Sequence, residues 1–178
     1  MSEVPANTPV TLRYIPDVTK AMADTKAFGG LYATAPESGS GNAVEVADLH
    51  TPPEFNQKWL FVPDGRGIKL QLAPPPPLSP NEGIGPVRLP YGWKDSESKL
   101  SGPVVLSELE FASNYYLNVL KKTSGGWIVT ICPIGTFFSL GSCVAASKDN
   151  QLELVGVPPL VNIPCPGWFV EETSGRSE

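Results

Sequence analysis

Apolar positions along this chain gather into twelve short segments, and three of them carry one phrase. It reads Lys58-Trp59-Leu60-Phe61-Val62, then Tyr115-Tyr116-Leu117-Asn118-Val119, then Gly167-Trp168-Phe169-Val170. The aromatic positions Trp59, Tyr116 and Trp168 stand 57 and 52 residues apart. Recurrence at a nearly constant interval predicts three similar units. The first contributes Leu12–Ile15, Leu31–Thr34, Val44–Leu49 and Trp59–Val62. The second contributes Ile68–Leu72, Val87–Leu89, Val104–Leu109 and Tyr115–Leu120. The third contributes Trp127–Ile131, Phe137–Leu140 (running on toward Ala145), Leu152–Val155 and Trp168–Val170. Many of these residues are β-branched or aromatic, and Ile68-Lys69-Leu70-Gln71-Leu72 alternates as a half-buried strand does.

Pro63-Asp64-Gly65-Arg66-Gly67 and Thr123-Ser124-Gly125-Gly126 occupy the same place in their units and read as hairpin turns. The spacing across Leu106–Lys122 also fits a helix; Tyr115-Tyr116, Val119 and the repeat favour a strand. Twelve strands in three pseudo-repeats, about 11–63, 68–122 and 127–172, predict an all-β fold of the β-trefoil kind. In it a six-stranded barrel is capped by three hairpins, and Trp59, Tyr116 and Trp168 take equivalent positions. Such a body is a rigid holder of loops. The loops are uneven, and those singled out are residues 16–30, ending in Phe28-Gly29-Gly30; residues 50–56; the proline-rich residues 73–86; and a polar excursion over residues 90–103 that contains Trp93. Four successive prolines, Pro74–Pro77, favour a stiff polyproline II segment.

Composition narrows this picture. The 178 residues, with 20 Pro and 17 Gly, fit one domain over 1–178, and a disordered tail is expected at 173–178. A net charge of −5 and a pI near 4.9 argue against nucleic acid, because phosphate binding needs clustered Lys and Arg. The polar N-terminus lacks an apolar signal-peptide region and no window has the length of a membrane span, so a cytoplasmic, membrane-free protein is expected. Cys132, Cys143 and Cys165 are odd in number and have apolar neighbours, so they read as small buried hydrophobes.

With the units placed, the chain resembles the mycocypins, fungal inhibitors of cysteine proteases that include clitocypin and the macrocypins. The resemblance is carried by Gly29-Gly30-Leu31-Tyr32-Ala33, similar to a Gly-Gly-Met-Tyr-Ala phrase in that family. Lys58-Trp59-Leu60-Phe61 and the ending Val161-Asn162-Ile163-Pro164 with Trp168-Phe169 extend it. The tetraproline run and the cysteines depart from the family pattern. The resemblance implies reversible occlusion of papain-like cysteine proteases by the loops of unit one, here residues 16–30 and 50–56. The implied contacts are Phe28, Gly29, Gly30, Thr51, Pro52, Pro53 and Glu54. Glycine lets backbone approach a narrow cleft, and Pro52-Pro53 lower the entropy lost on docking. The family also uses the loop after its fifth strand against another protease class. That position here holds Asn81, which suits an asparaginyl endopeptidase such as legumain, or is an ordinary turn residue.

Other readings are weaker. His50 is the only histidine, and neither a catalytic constellation, a phosphate loop nor a metal spacing accompanies it, so no enzyme and no cofactor are expected. Arg66 would suit a trypsin-like pocket, but its hairpin is short and glycine-rich. The alternative from a different class is a ricin-B-like lectin: Gln57-Lys58-Trp59 matches the Gln-x-Trp repeat of such trefoils, while Asn114-Tyr115-Tyr116 and Pro166-Gly167-Trp168 do not.

Overall fold

Buried and partly exposed side chains alternate along Trp59–Val62 and Leu152–Val155, whereas Gly126–Ile131 is buried at every position. The computed structural model describes residues 4–24, 26, 28–75, 89–96, 101–135, 141–157 and 165–173. Strands of the first third are β1 (Val10–Ile15), β2 (Leu31–Thr34), β3 (Glu45–Asp48) and β4 (Trp59–Asp64). The middle third holds β5 (Gly67–Leu72), β6 (Tyr91–Lys94), β7 (Gly102–Pro103), β8 (Val105–Glu108) and β9 (Tyr115–Thr123). The last third holds β10 (Gly126–Pro133), β11 (Gly141–Ala146), β12 (Leu152–Val157) and β13 (Gly167–Glu172). The fold is all-β, as the sequence predicts.

The antiparallel pairings run β1–β4, β4–β5, β5–β9, β9–β10, β10–β13 and β13–β1, which returns to its start and closes a ring of six strands. Three hairpins flank the ring: β2–β3, β6–β8 and β11–β12, the last with β7 against β12. Where the hairpins meet, three backbone hydrogen bonds form a closed triangle. Val44 N–H donates to Val104 (2.9 Å), Val104 N–H to Leu152 (2.9 Å), and Leu152 N–H to Val44 (2.7 Å). All three side chains are fully buried, so these polar groups are satisfied where water cannot reach them.

Aromatic rings fill the centre. Trp93 lies 5.4 Å from Trp59, 6.0 Å from Trp168 and 6.3 Å from Tyr115 between ring centroids, each pair edge-on. This corrects two expectations. The aromatic that joins Trp59 and Trp168 in the core is Tyr115; Tyr116 is 49% exposed. The supposed polar excursion that follows the expected strand Val87–Leu89 holds β6, which brings Trp93 into the core. Leu89 is exposed and precedes β6, and residues 87 and 88 lie outside the described residues. The expected strand Phe137–Leu140 also lies outside them, and β11 follows it at Gly141–Ala146. Across Leu106–Lys122 the chain is β8, a 3-10 turn (Leu109–Phe111) and β9, so the helical alternative is not adopted.

Both expected hairpin turns are two-residue connections, Gly65-Arg66 between β4 and β5 and Ser124-Gly125 between β9 and β10. The glycine that follows each turn meets a neighbouring carbonyl. A Cβ on Gly67 would lie 2.4 Å from the Tyr115 oxygen, and one on Gly126 only 2.0 Å from the Val170 oxygen. Only glycine fits such an approach.

Candidate functional site

The register of β2 and β3 decides how the candidate loops sit. Leu31 pairs with Asp48 at one end of this hairpin and Thr34 with Glu45 at the other. The segment Phe28–Gly30 therefore enters β2 beside the point where β3 leaves for Leu49–Glu54. Seven of the eight expected contact residues, Phe28, Gly29, Gly30, Thr51, Pro52, Pro53 and Glu54, come from these two adjoining segments. The eighth, Asn81, lies outside the described residues.

Within residues 16–30 the chain forms a short helix, α1 (Val18–Ala23), where the sequence suggests only loop. Asp17 caps it, its carboxylate accepting from the Thr19 N–H at 3.0 Å. Val18 and Ala21 face a small second core with Ile15, Ile128 and Phe169. Phe28 closes that core from above, its ring 4.6 Å from Phe169. Gly29 is fixed by its neighbours: its N–H donates to Tyr14 at 3.2 Å, and a Cβ would lie 2.8 Å from that same carbonyl. Gly30 is exposed, and a Cβ there would meet nothing within 4 Å. The two glycines thus differ in kind. Gly29 is required by packing, whereas Gly30 leaves an open edge.

Arg13 organises this segment although the sequence reading did not single it out. Its Nε donates to the Gly29 carbonyl, and its guanidinium lies 5.6 Å from the Phe28 centroid and 5.9 Å from that of Tyr32. Tyr32 in turn donates to Glu171 Oε2 at 3.4 Å. Burial raises the Glu171 carboxyl above its ordinary value, with Arg13 and Tyr32 pulling the other way. Burial and the Glu171 charge raise the Tyr32 phenol. The visible signal was Arg13 in β1, one of 13 Lys and Arg in the chain and the partner of Tyr32 in the ladder.

The second segment is held by Gln57, which has no exposed surface. Its Oε1 accepts from the His50 N–H at 2.9 Å, and its Nε2 donates to the Asp48 carbonyl (2.8 Å) and to Thr34 Oγ1 (3.1 Å). One side chain thereby ties the loop to both strands of the hairpin. The sequence showed Gln57 only as part of a lectin-like triplet; its amide is engaged inside the fold. Beyond it, Thr51, Pro52 and Glu54 are exposed, and His50 Nδ1 lies 3.4 Å from Glu54 Oε2. A shallow groove of about 600 Å³ borders Pro52, Pro53 and Glu54, with Lys58, Pro74 and Thr173 on its far side. A second, of about 660 Å³, runs past Glu54 and Phe55 to Pro75, Leu89 and Tyr91.

Chemically this is an exposed edge of backbone and proline with the Glu54 carboxylate beside His50. Among the described residues no group of three or more His, Cys, Asp and Glu is placed to hold a metal ion, and no helix is long and apolar enough to cross a membrane. The buried-hydrophobe reading holds for Cys143 alone; Cys132 and Cys165 are partly exposed. No protein-family model matches the chain, and no curated protein matches it.

Proposed function

We propose that the chain is a β-trefoil protease inhibitor of the mycocypin kind, which blocks the cleft of papain-like cysteine proteases reversibly with residues 16–30 and 50–56. The trefoil reading is supported by the closed six-strand ring, the three flanking hairpins and the backbone triangle of Val44, Val104 and Leu152. The observation that carries the function is the Leu31–Asp48 register, which sets both loops side by side at one end of a hairpin. Each loop has an internal brace, Arg13 for one and Gln57 for the other, so little loop entropy remains to be lost on docking. Occlusion asks no covalent step of this edge, so the inhibition is reversible.

Papain inhibition by the wild type and by Gly30→Arg tests this reading. Gly30 is the cleaner target than Gly29, because substituting Gly29 would also push on the Tyr14 carbonyl. The arginine should weaken inhibition by roughly tenfold to a hundredfold, about 1.4–2.8 kcal/mol, with an unchanged far-UV spectrum. An inactive wild type refutes the function, and an equally potent Gly30→Arg refutes the site. Inhibition of legumain through Asn81 is a second surface in this proposal, with Asn81→Ala as its test. The trypsin and lectin readings gain no support: Arg66 sits in a two-residue turn, and the Gln57 amide is consumed by His50, Asp48 and Thr34.

A further inference from the structure

The three cysteines, spread over residues 132–165, come together in space, and two of them share one acceptor. Cys143 Sγ lies 4.0 Å and Cys165 Sγ 3.7 Å from the same oxygen, the carbonyl of Pro166. The two backbones are tied nearby by Trp168 Nε1, which donates to the Val144 carbonyl at 3.0 Å. Each thiol lies close enough to bear on the other's ionisation. Cys132 turns elsewhere, toward Thr130 Oγ1 at 3.7 Å and the Tyr116 hydroxyl. We propose that Cys143 and Cys165 form an oxidative cross-linking site that closes to a disulfide by exchange with a low-molecular-weight disulfide such as oxidised glutathione.

The exposure of the two thiols orders the steps. Cys143 is 2% exposed, whereas Cys165 is partly open to solvent, so the reagent meets Cys165 first. The Cys165 thiolate attacks one glutathione sulfur, a protein–glutathione disulfide forms, and one glutathione thiolate leaves. The Cys143 thiolate then attacks Cys165 Sγ, the Cys143–Cys165 bond forms, and the second glutathione leaves. The protein pair loses two electrons, glutathione disulfide gains them, and the two cysteine protons end on the two glutathione thiols. Burial raises both thiols, Cys143 far more than Cys165. Thiolate is therefore scarce at neutral pH, and closure is slow and accelerates as pH rises.

The site has a structural consequence. The Cys165 carbonyl accepts from the Val18 N–H at 2.8 Å, at the first turn of α1. A Cys143–Cys165 bond would join β11 to the entry of β13 directly beneath the 16–30 segment.

The test equilibrates the folded protein with oxidised glutathione and titrates thiols after denaturation. The titre should fall from three to one, with a loss of two hydrogens in intact mass. Chymotrypsin is the enzyme for mapping, since no Lys or Arg separates Cys132 from Cys143, whereas Phe137, Phe138 and Leu140 do. The map should join Cys143 to Cys165. Cys132→Ser should close equally well, and Cys143→Ala should stop at glutathionylated Cys165. An undiminished titre, a stable glutathione adduct on the wild type, or a bond that includes Cys132 overturns the proposal. The wild-type map decides the matter even if a variant fails to fold.

Discussion

Gln57 holds three hydrogen bonds in a side chain without exposed surface, so shape alone cannot replace it. Gln57→Leu fills the same space but strands the His50 N–H and the Asp48 carbonyl, and should destabilise the fold by about 1–3 kcal/mol. Denaturant midpoints measure this, and a loss under about 0.5 kcal/mol would show that the loop finds other partners. Glu171 makes a subtler case. Its carboxyl is raised above 4.5, chiefly by burial, so the folded protein keeps a proton that the unfolded chain has lost. Its contribution to stability is complete below pH 4.5 and is lost as pH rises through the folded value. Glu171→Gln should remove that decline, read as the wild-type-minus-variant unfolding free energy between about pH 4 and pH 7. A pH-independent difference sinks the idea. Neither role is legible in sequence, because a glutamine before a lysine and one of two adjacent glutamates carry no signal until the chain folds around them. Gly29 and Gly30 were legible only as a pair. That Gly29 is needed inside the fold and Gly30 is not emerges from where the Tyr14 carbonyl lies.

Strands and turns were read more surely than individual side chains. Leu31–Thr34 was expected as a strand and is one, and the two glycine turns fall where their punctuation placed them. The slips have physical causes. Aligning the repeat on Tyr116 rather than Tyr115 moved the phrase by one residue, and in a strand one residue reverses the face. β6 escaped notice because Tyr91-Gly92-Trp93-Lys94 lacks β-branched residues and follows Pro90. Its glycine is needed because a Cβ on Gly92 would lie 2.9 Å from the Leu70 oxygen. α1 is too short for periodicity, and Asp17 was its only cue. The turns give a paired prediction. Gly126→Ala forces a Cβ against the Val170 carbonyl and should cost about 2–3 kcal/mol. Gly65→Ala has open space around it and should stay within about 0.5 kcal/mol. Equal effects in thermal or chemical unfolding would contradict the close approach described here.

The two protease surfaces proposed for this chain raise the question of simultaneous use, and the groove beside Glu54 bears on it. Pro75 and Leu89, which border the segment that contains Asn81, line that groove together with Glu54 and Phe55. Asn81 is six residues from Pro75 in sequence, a tether whose fully extended length is roughly 20 Å at about 3.5 Å per residue. A protease footprint of about 800 Å² per partner is roughly 30 Å across. The short tether leads us to expect that an enzyme on Gly30 and Thr51–Glu54 excludes another on Asn81, although the contact residues belong to different units of the chain. Point variants should separate the two activities: Gly30→Arg spares legumain, and Asn81→Ala spares papain. The wild type, in contrast, should bind one enzyme at a time. Size-exclusion chromatography of the chain with inactive papain and inactive legumain should give two binary complexes, and each enzyme should displace the other in competition. A ternary complex would place the Asn81 surface away from the groove. Absence of legumain binding altogether would leave Asn81 a turn residue and unit one the sole inhibitory edge.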